Sequence, residues 1–300
     1  MTAALSVGLD IGATKTLGLV LDGDGGILAE VREPTKPGAD GIVGSAARVF
    51  DALRAATGQP LAGTVGVGIP GLVDVERGAV KHAVNLGVDG DWLPLRELLA
   101  ARLGVPVVLE NDVNAATLGA AALSGADDLV YLSIGTGLAA GLVLDGRLRR
   151  GEHGAAGEIG HVPVDPQGTV CQCGQRGCLE TIASGSALAA AWPSGDVPPA
   201  QALFDAAGSG DPSAILVRDR FSAGVASAIR VLSLAVDPAS IVLGGGVAQL
   251  GEPLRAAVAQ SLLDQAASSP FLASLDLAGR LSVVPSDYPV AAVGAAFLGR

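Results

Sequence analysis

Aromatic side chains are almost missing from this sequence. Five Phe, two Tyr and two Trp make up 3% of 300 residues, so its cores must be built from Ala, Val, Leu and Ile. Cations are also few: 19 Lys and Arg stand against 30 Asp and Glu, a net charge of −11. A field of that sign disfavours phosphate backbones and excludes nucleic acid as a main partner. An anionic nucleotide can still bind through backbone amides, Mg²⁺ and a few placed cations. Long apolar runs are absent too. The stretch from Leu129 to Leu144 is closed by Asp128 and Asp145 and interrupted by Gly, Ser and Thr. It falls short of the roughly 18–20 apolar residues of a membrane span. The start, MTAALSVGLD, lacks the basic and apolar regions of a secretory signal, so a cytoplasmic location is expected.

Cysteine is nearly absent as well, and its distribution is informative. Cys171, Cys173 and Cys178 all lie within EIGHVPVDPQGTVCQCGQRGCLE, residues 158–180, with His161 ten positions before the first. An odd number in a chain without secretory features argues against a disulfide framework. One imidazole and three thiolates form the closed four-coordinate set of a structural Zn²⁺ site. Gly174 and Gly177 permit the tight turn that gathers the sulfurs. Glu158 and Glu180 flank the ligands, and a structural zinc needs neither.

What remains is rich in apolar residues, 49%, with 16% charged, the composition of a well-buried globular chain of about two domains. LSVGLDIG, TLGLVLD and ILAEVRE read as an antiparallel meander with a DGDGG turn. A helix follows from about Gly41 to Ala56, then the buried strand TVGVGIPG, the amphipathic helix PLRELLAARLG and the strand VPVVLEN. The pattern then restarts: DLVYLSIGTGLAAGLVLDG echoes SVGLDIGATKTLGLVLDGDG, so two related halves are expected, each a ββββ-plus-helix unit. Residues 196–212 read as a surface connection with a short helix. Beyond them lie a helix at about Ser213–Val236, the strand SIVLGGGVA, a helix around Pro253–Gln265, and a final strand and helix, SVVPSD and PVAAVGAAFLG.

Several of these segments carry candidate chemistry. Between the first two strands, Asp10, Gly12, Thr14 and Lys15 form a turn in which Gly12 admits a phosphate and Thr14 and Lys15 offer a hydroxyl and a cation. Asp10 is suited to holding Mg²⁺ through water. No GxxxxGKS or GxxxxGKT P-loop is present, and an ordinary hairpin turn is the competing reading. Gly135, Thr136 and Gly137 stand at the matching place in the second half, and the two turns together make a phosphate clamp. Asp112, in Glu110-Asn111-Asp112-Val113-Asn114 after the strand VPVVLE, can accept the proton of a substrate hydroxyl, or can cap the helix that follows. Gly244, Gly245 and Gly246 let a base or ribose lie against the backbone, or simply turn the chain. His82 and His153 have no partner spacing and read as surface or hydrogen-bonded structural histidines.

Taken in order, DIGATKT, GIPGLVD, LENDVNAA, SIGTG, GEIGH with CQCGQRGCLE, and LGGGVA resemble the ROK family of sugar kinases and sugar-responsive repressors, collinearly across the chain. The resemblance implies an α/β actin-like, ribonuclease-H-like ATPase fold, two α/β domains around a central cleft. Its domains would be residues 1–113, with a C-terminal helix at about 289–300 packing back on them, and residues 114–288 carrying the zinc motif. It implies Asp112 as catalytic base and Gly71, Asn85, Asn111, Glu158, His161 and Glu180 as sugar contacts. His161 would also bind zinc with Cys171, Cys173 and Cys178. The implied activity is phosphorylation of a hexose 6-hydroxyl by ATP with Mg²⁺, glucose first, with mannose, N-acetylglucosamine, N-acetylmannosamine and fructose as alternatives. A homodimer is implied too. A repressor would need a DNA-binding domain, and only nine residues precede Asp10; a non-catalytic sugar sensor is the remaining alternative. Two departures from the family pattern stand out: Ala13 where a second glycine is frequent, and Ala139-Ala140 in the second phosphate turn.

Overall fold

In the computed structural model, which describes residues 5–300, the chain divides into two units, each with its own hydrophobic core. The first holds residues up to Gly125, together with Arg150–Gly154 and Pro289–Arg300. Its strands are β1 (Ser6–Ile11), β2 (Lys15–Leu21), β3 (Ile27–Pro34), β4 (Val65–Ile69), the short hairpin β5 (Leu72–Asp74) and β6 (Ala79–Lys81), and β7 (Val107–Asn111). Its helices are α1 (Ala39–Thr57), α2 (Leu95–Leu103), α3 (Asp112–Ser124) and a C-terminal helix, Val290–Leu298. The main sheet runs β3-β2-β1-β4-β7. The first three strands form the expected antiparallel meander, and β4 and β7 add in parallel. β4 is buried along its whole length and reads VGVGI, the near-continuous apolar run of a strand covered on both faces. β3, at the edge, is exposed or half-buried throughout and carries Glu30 and Arg32; charge on an edge strand discourages pairing with another chain.

The shortage of aromatics is met by close approach of backbones. Val290–Leu298 reads VAAVGAAFL, and it packs on β1, β4 and α3. A side chain at Gly8 or Gly66 would run into the carbonyls of Ala292 or Ala295, and one at Gly119 or Gly294 into those of Val290 or Ala115. Where rings are few, glycine and alanine let helix and sheet touch directly, keeping the dispersion contacts of a dense interior. α1 supplies larger groups: Ile42, Val49, Phe50 and Leu53 are 0–1% exposed, each contributing about 1.5–3 kcal/mol of apolar transfer.

The second unit, Ala126–Arg149 and Ala155–Tyr288, repeats the plan. Its strands are β8 (Leu129–Ile134), β9 (Leu138–Leu144), β10 (Arg147–Leu148), β11 (Ser240–Gly244) and β12 (Leu281–Val283). Their order is β10-β9-β8-β11-β12, antiparallel on the hairpin side and parallel on the other. This is the topology of the first sheet, so the internal echo is a repeated fold, with five strands in each sheet where four were expected. The helices are α4 (Glu180–Ala183), α5 (Gly185–Ala191), α6 (Pro199–Gly208), α7 (Pro212–Val236), α8 (Glu252–Ala266) and α9 (Pro270–Ser274). α7 begins at Asp211, whose side chain accepts from Ser213 and Ala214 amides, an ordinary N-cap.

Two expectations need correction. Residues 196–212 carry the expected short helix, α6, but it is more than a surface element, since it buries Leu203, Phe204 and Ala207 against α7 and the second core. The first unit extends past residue 113 to Gly125, because α3 packs along the C-terminal helix. Among the described residues no helix is long and apolar enough to cross a membrane.

Candidate active site and metal centre

In the first unit the candidate residues gather at the C-terminal ends of the parallel strands, where open α/β sheets bind ligands. Asp10 on β1, Gly68 on β4 and Glu110 on β7 lie side by side across the sheet. A Cβ at Gly68 would sit 3.7 Å from the Asp112 Cα, so glycine leaves room between the two aspartates. Burial first, and then the negative charge of Asp112, raise the Asp10 carboxyl to about 7 against the opposing charge of Lys15. A partly buried acid beside a second acid is the arrangement a divalent cation would relieve.

The turn from Asp10 to Lys15 is closed by the Gly12 amide donating to the Lys15 carbonyl at 2.9 Å, with Thr14 and Lys15 exposed. Asn111 is the N-cap of α3: its Oδ1 accepts from the amides of Val113 at 2.9 Å and Asn114 at 3.3 Å. The capping role left open for Asp112 thus falls to its neighbour. Asp112 is the first residue of the helix, where the macrodipole favours an anion, and its Oδ1 accepts from Val113 N at 2.9 Å. Asn111 Nδ2 donates to the Gly71 carbonyl at 3.1 Å. Gly71 has φ 103°, and a Cβ there would stand 2.7 Å from the Lys81 carbonyl. Ala83 packs on Gly71, and two residues on, Asn85 lies exposed on the single-turn helix Val84–Leu86.

In the second unit the GTG turn and the glycine triplet meet. Gly245, at φ 82°, lies against the Ile134 backbone, leaving 2.6 Å for a Cβ, while Gly246 faces open space. The carbonyls of Gly135 and Thr136 accept from the amides of Gly185 and Ser186 at 2.7 and 3.2 Å, which braces the turn on α5. Glu180 has a structural role besides the expected sugar contact. Its Oε2 accepts from Leu138 N at 3.0 Å and occupies the place a side chain at Gly137 would need. The departures from the family pattern are absorbed. Ala139 and Ala140 lie inside β9, paired with Ser133 and Leu132, and neither they nor Ala13 has a positive φ.

The four predicted metal ligands come together. One donor atom from each of His161, Cys171, Cys173 and Cys178 lies within 4.8 Å of every other. Cys171 Sγ is 3.8 Å from His161 Nδ1, and Cys173 Sγ is 3.7 Å from Cys178 Sγ. A tetrahedral zinc with bonds of 2.0–2.3 Å sets its ligands about 3.5–3.8 Å apart, so the donor set fits that ion. Hydrogen bonds from Gln175 hold the Cys173 thiol down at about 6, while burial and the neighbouring thiols push Cys178 up to about 12. A cation is what would let all three ionise together. Gly174 and Gly177 take φ 89° and 72°, as the tight turn requires. His161 divides its ring, with Nδ1 toward Cys171 and Nε2 3.8 Å from Glu158 Oε2.

Residues 6–284 match the ROK family.

The chain belongs to the ROK family.

It is 34% identical to a glucokinase of Thermotoga maritima, over 93% of this chain and 96% of that protein. The structure of a ROK family glucokinase from Streptomyces griseus in complex with glucose and AMPPNP superposes with a TM-score of 0.80 at 32% identity, covering 99% of both chains. A ROK hexokinase from Thermus thermophilus superposes at 0.79 with 34% identity, over 98% and 97%. These matches bear out the actin-like α/β fold. Within this ROK chain, sequence reading missed the Glu110–Arg150 ion pair and the positive φ of His82, 56°. The first was half visible in the buried-strand position of Glu110; the second has no sequence signal.

Proposed function

We propose that this chain transfers the γ-phosphoryl group of ATP to the 6-hydroxyl of glucose. The observation that carries the reading is the pairing of Asp112, at the head of α3, with Asp10 across Gly68, within a collinear ROK motif set. Asp112 accepts the proton of the 6-hydroxyl as that oxygen bonds to the γ-phosphorus. The bond to the β,γ-bridging oxygen breaks, ADP leaves, and Asp112 then releases its proton to water. Lys15, the amides of the Gly12 turn and those of the Gly135–Gly137 turn offset charge on the transferring group. Gly244–Gly246 accept the nucleoside. Asp10 would hold Mg²⁺, which would supply further neutralisation of the phosphates.

The proposed sugar contacts are Gly71, Asn85 and Asn111 of the first unit and Glu158, His161 and Glu180 of the second, as the family resemblance implies. The zinc knuckle serves as a clamp: it orients His161 and, two residues beyond Cys178, Glu180. Paired acceptors of this kind reject analogues lacking a hydroxyl more strongly than epimers that keep it. The hexokinase name of the Thermus relative therefore favours a second reading, turnover of further hexoses. A cytoplasmic setting and a homodimer remain parts of the proposal. The test is ADP release from ATP across glucose, mannose, fructose, N-acetylglucosamine and N-acetylmannosamine, repeated with polyphosphate as donor. Glucose should give the highest kcat/KM; hexose binding without ADP release would make the chain a sensor instead.

A further inference from the structure

Behind the proposed base lies a charged group the reaction does not touch. Glu110, the penultimate residue of β7, has a side chain only 1% exposed. A carboxylate at that depth is costly unless its lone pairs are met, and here both oxygens are doubly engaged. Oε1 accepts from the Asn111 amide and from Asn114 Nδ2, each at 3.0 Å. Oε2 accepts from Arg150 Nε at 2.7 Å and Nη2 at 2.6 Å. The two Oε1 donors stand on either side of Asp112 in sequence, so Glu110 grips the strand-to-helix junction around the base. Arg150 reaches it from Arg150–Gly154, a five-residue return of the chain into the first unit.

We propose that Arg150 is a positioning residue for phosphoryl transfer: by clamping Glu110 it fixes the β7–α3 junction and with it the aim of the Asp112 carboxylate. An apolar pair of similar volume would hold a fold at least as well as a buried ion pair. What the charged pair adds is direction, because two guanidinium nitrogens converge on one oxygen and leave the other for Asn111 and Asn114. Arg150 makes no contact with substrate in this scheme. This inference rests on the kinase reading above.

The test uses the full chain with Arg150→Met, Arg150→Lys, Glu110→Gln and the double variant Glu110→Gln/Arg150→Met. Hexose-dependent ADP release gives kcat and KM, and thermal unfolding reports the fold. Misaiming a catalytic group by a fraction of an ångström to an ångström costs up to about 10²-fold. Arg150→Met and Glu110→Gln should therefore each lower kcat about 10–100-fold and leave the glucose KM within about threefold. The double variant should lose no more than the worse single one, as members of one unit do. Arg150→Lys, which keeps the charge without the guanidinium fork, should fall between. Folded Arg150→Met and double variants with kcat within about twofold of wild type would overturn the proposal. So would a loss carried by KM alone, or unfolding of every variant at the assay temperature, which would make the pair scaffold only. Absent turnover in the wild type would sink the kinase reading and this inference with it; normal turnover with an unaffected Arg150→Met sinks the inference alone.

Discussion

Replacing Asp10 by Asn should stabilise the nucleotide-free protein above neutral pH while removing most of its turnover. In the folded protein the carboxyl is raised from the ordinary 3.8 to about 7, chiefly by burial and then by the charge of Asp112, with Lys15 opposing. The folded state therefore holds this proton more tightly than the unfolded chain does. As pH rises from about 4 the unfolded state ionises first, so stability falls until about pH 7 and then levels. At ~1.4 kcal/mol for each tenfold change in proton affinity, the full effect is about 4 kcal/mol. That is an upper bound for a half-buried side chain. Asn stays neutral throughout and escapes the loss, whichever state the chain is in. For a domain of this size ~1 kcal/mol moves Tm by about 2–4 °C, so Asp10→Asn should melt about 5–10 °C above wild type at pH 8 and level with it near pH 4. Scanning calorimetry on Mg²⁺- and nucleotide-free protein from pH 4 to 8.5 measures both. The variant's kcat should fall about 10²-fold or more, since the charge that would hold Mg²⁺ is gone. A Tm difference that does not change across this pH range would refute the reasoning.

Other outcomes follow from the same contacts. Gly294→Ala places a methyl against the Ala115 carbonyl; it should destabilise the first unit by about 2–3 kcal/mol, read as a lower Tm. One zinc per chain should be found by elemental analysis, and Cys178→Ser should lose it together with most glucose affinity; a zinc-free protein that binds glucose normally would remove the clamp from the account. Glu180→Ala should weaken nucleotide as well as glucose binding by calorimetry, because Glu180 Oε2 also holds Leu138 N beside the phosphate turn. Ala139→Gly and Ala140→Gly should change kcat by less than about twofold, as both alanines sit in ordinary strand geometry and glycine there only loosens the backbone.

Much of this was readable from the residues. Period-two and continuous apolar runs marked the strands of both sheets, and the echo between DIGATK and SIGTG marked their repetition. The spacing of three cysteines and a histidine marked the candidate metal site, since four ligands within 18 residues leave few other arrangements. What escaped was set by tertiary packing. The short helix around Leu203 and Phe204 reads as a surface element in a Pro- and Gly-rich stretch, yet α7 offers it a buried face. Glu110 and Arg150 are 40 residues apart and share no motif. Glu180 carried a motif position, but its bond to Leu138 depends on a turn 42 residues earlier in the chain. Whether Asn111 or Asp112 caps α3 was open because both residue types suit an N-cap; only the geometry of the junction assigns it to Asn111.

The most direct test of the central claim is the kcat of Asp112→Asn for glucose-dependent ADP release, measured on protein shown by its unfolding transition to be folded. With the base removed and the Asn111 cap intact, kcat should drop about 10²–10⁴-fold while glucose still binds. A folded Asp112→Asn that turns over near the wild-type rate would contradict the assignment of the base, and with it the mechanism built on the β7–α3 junction.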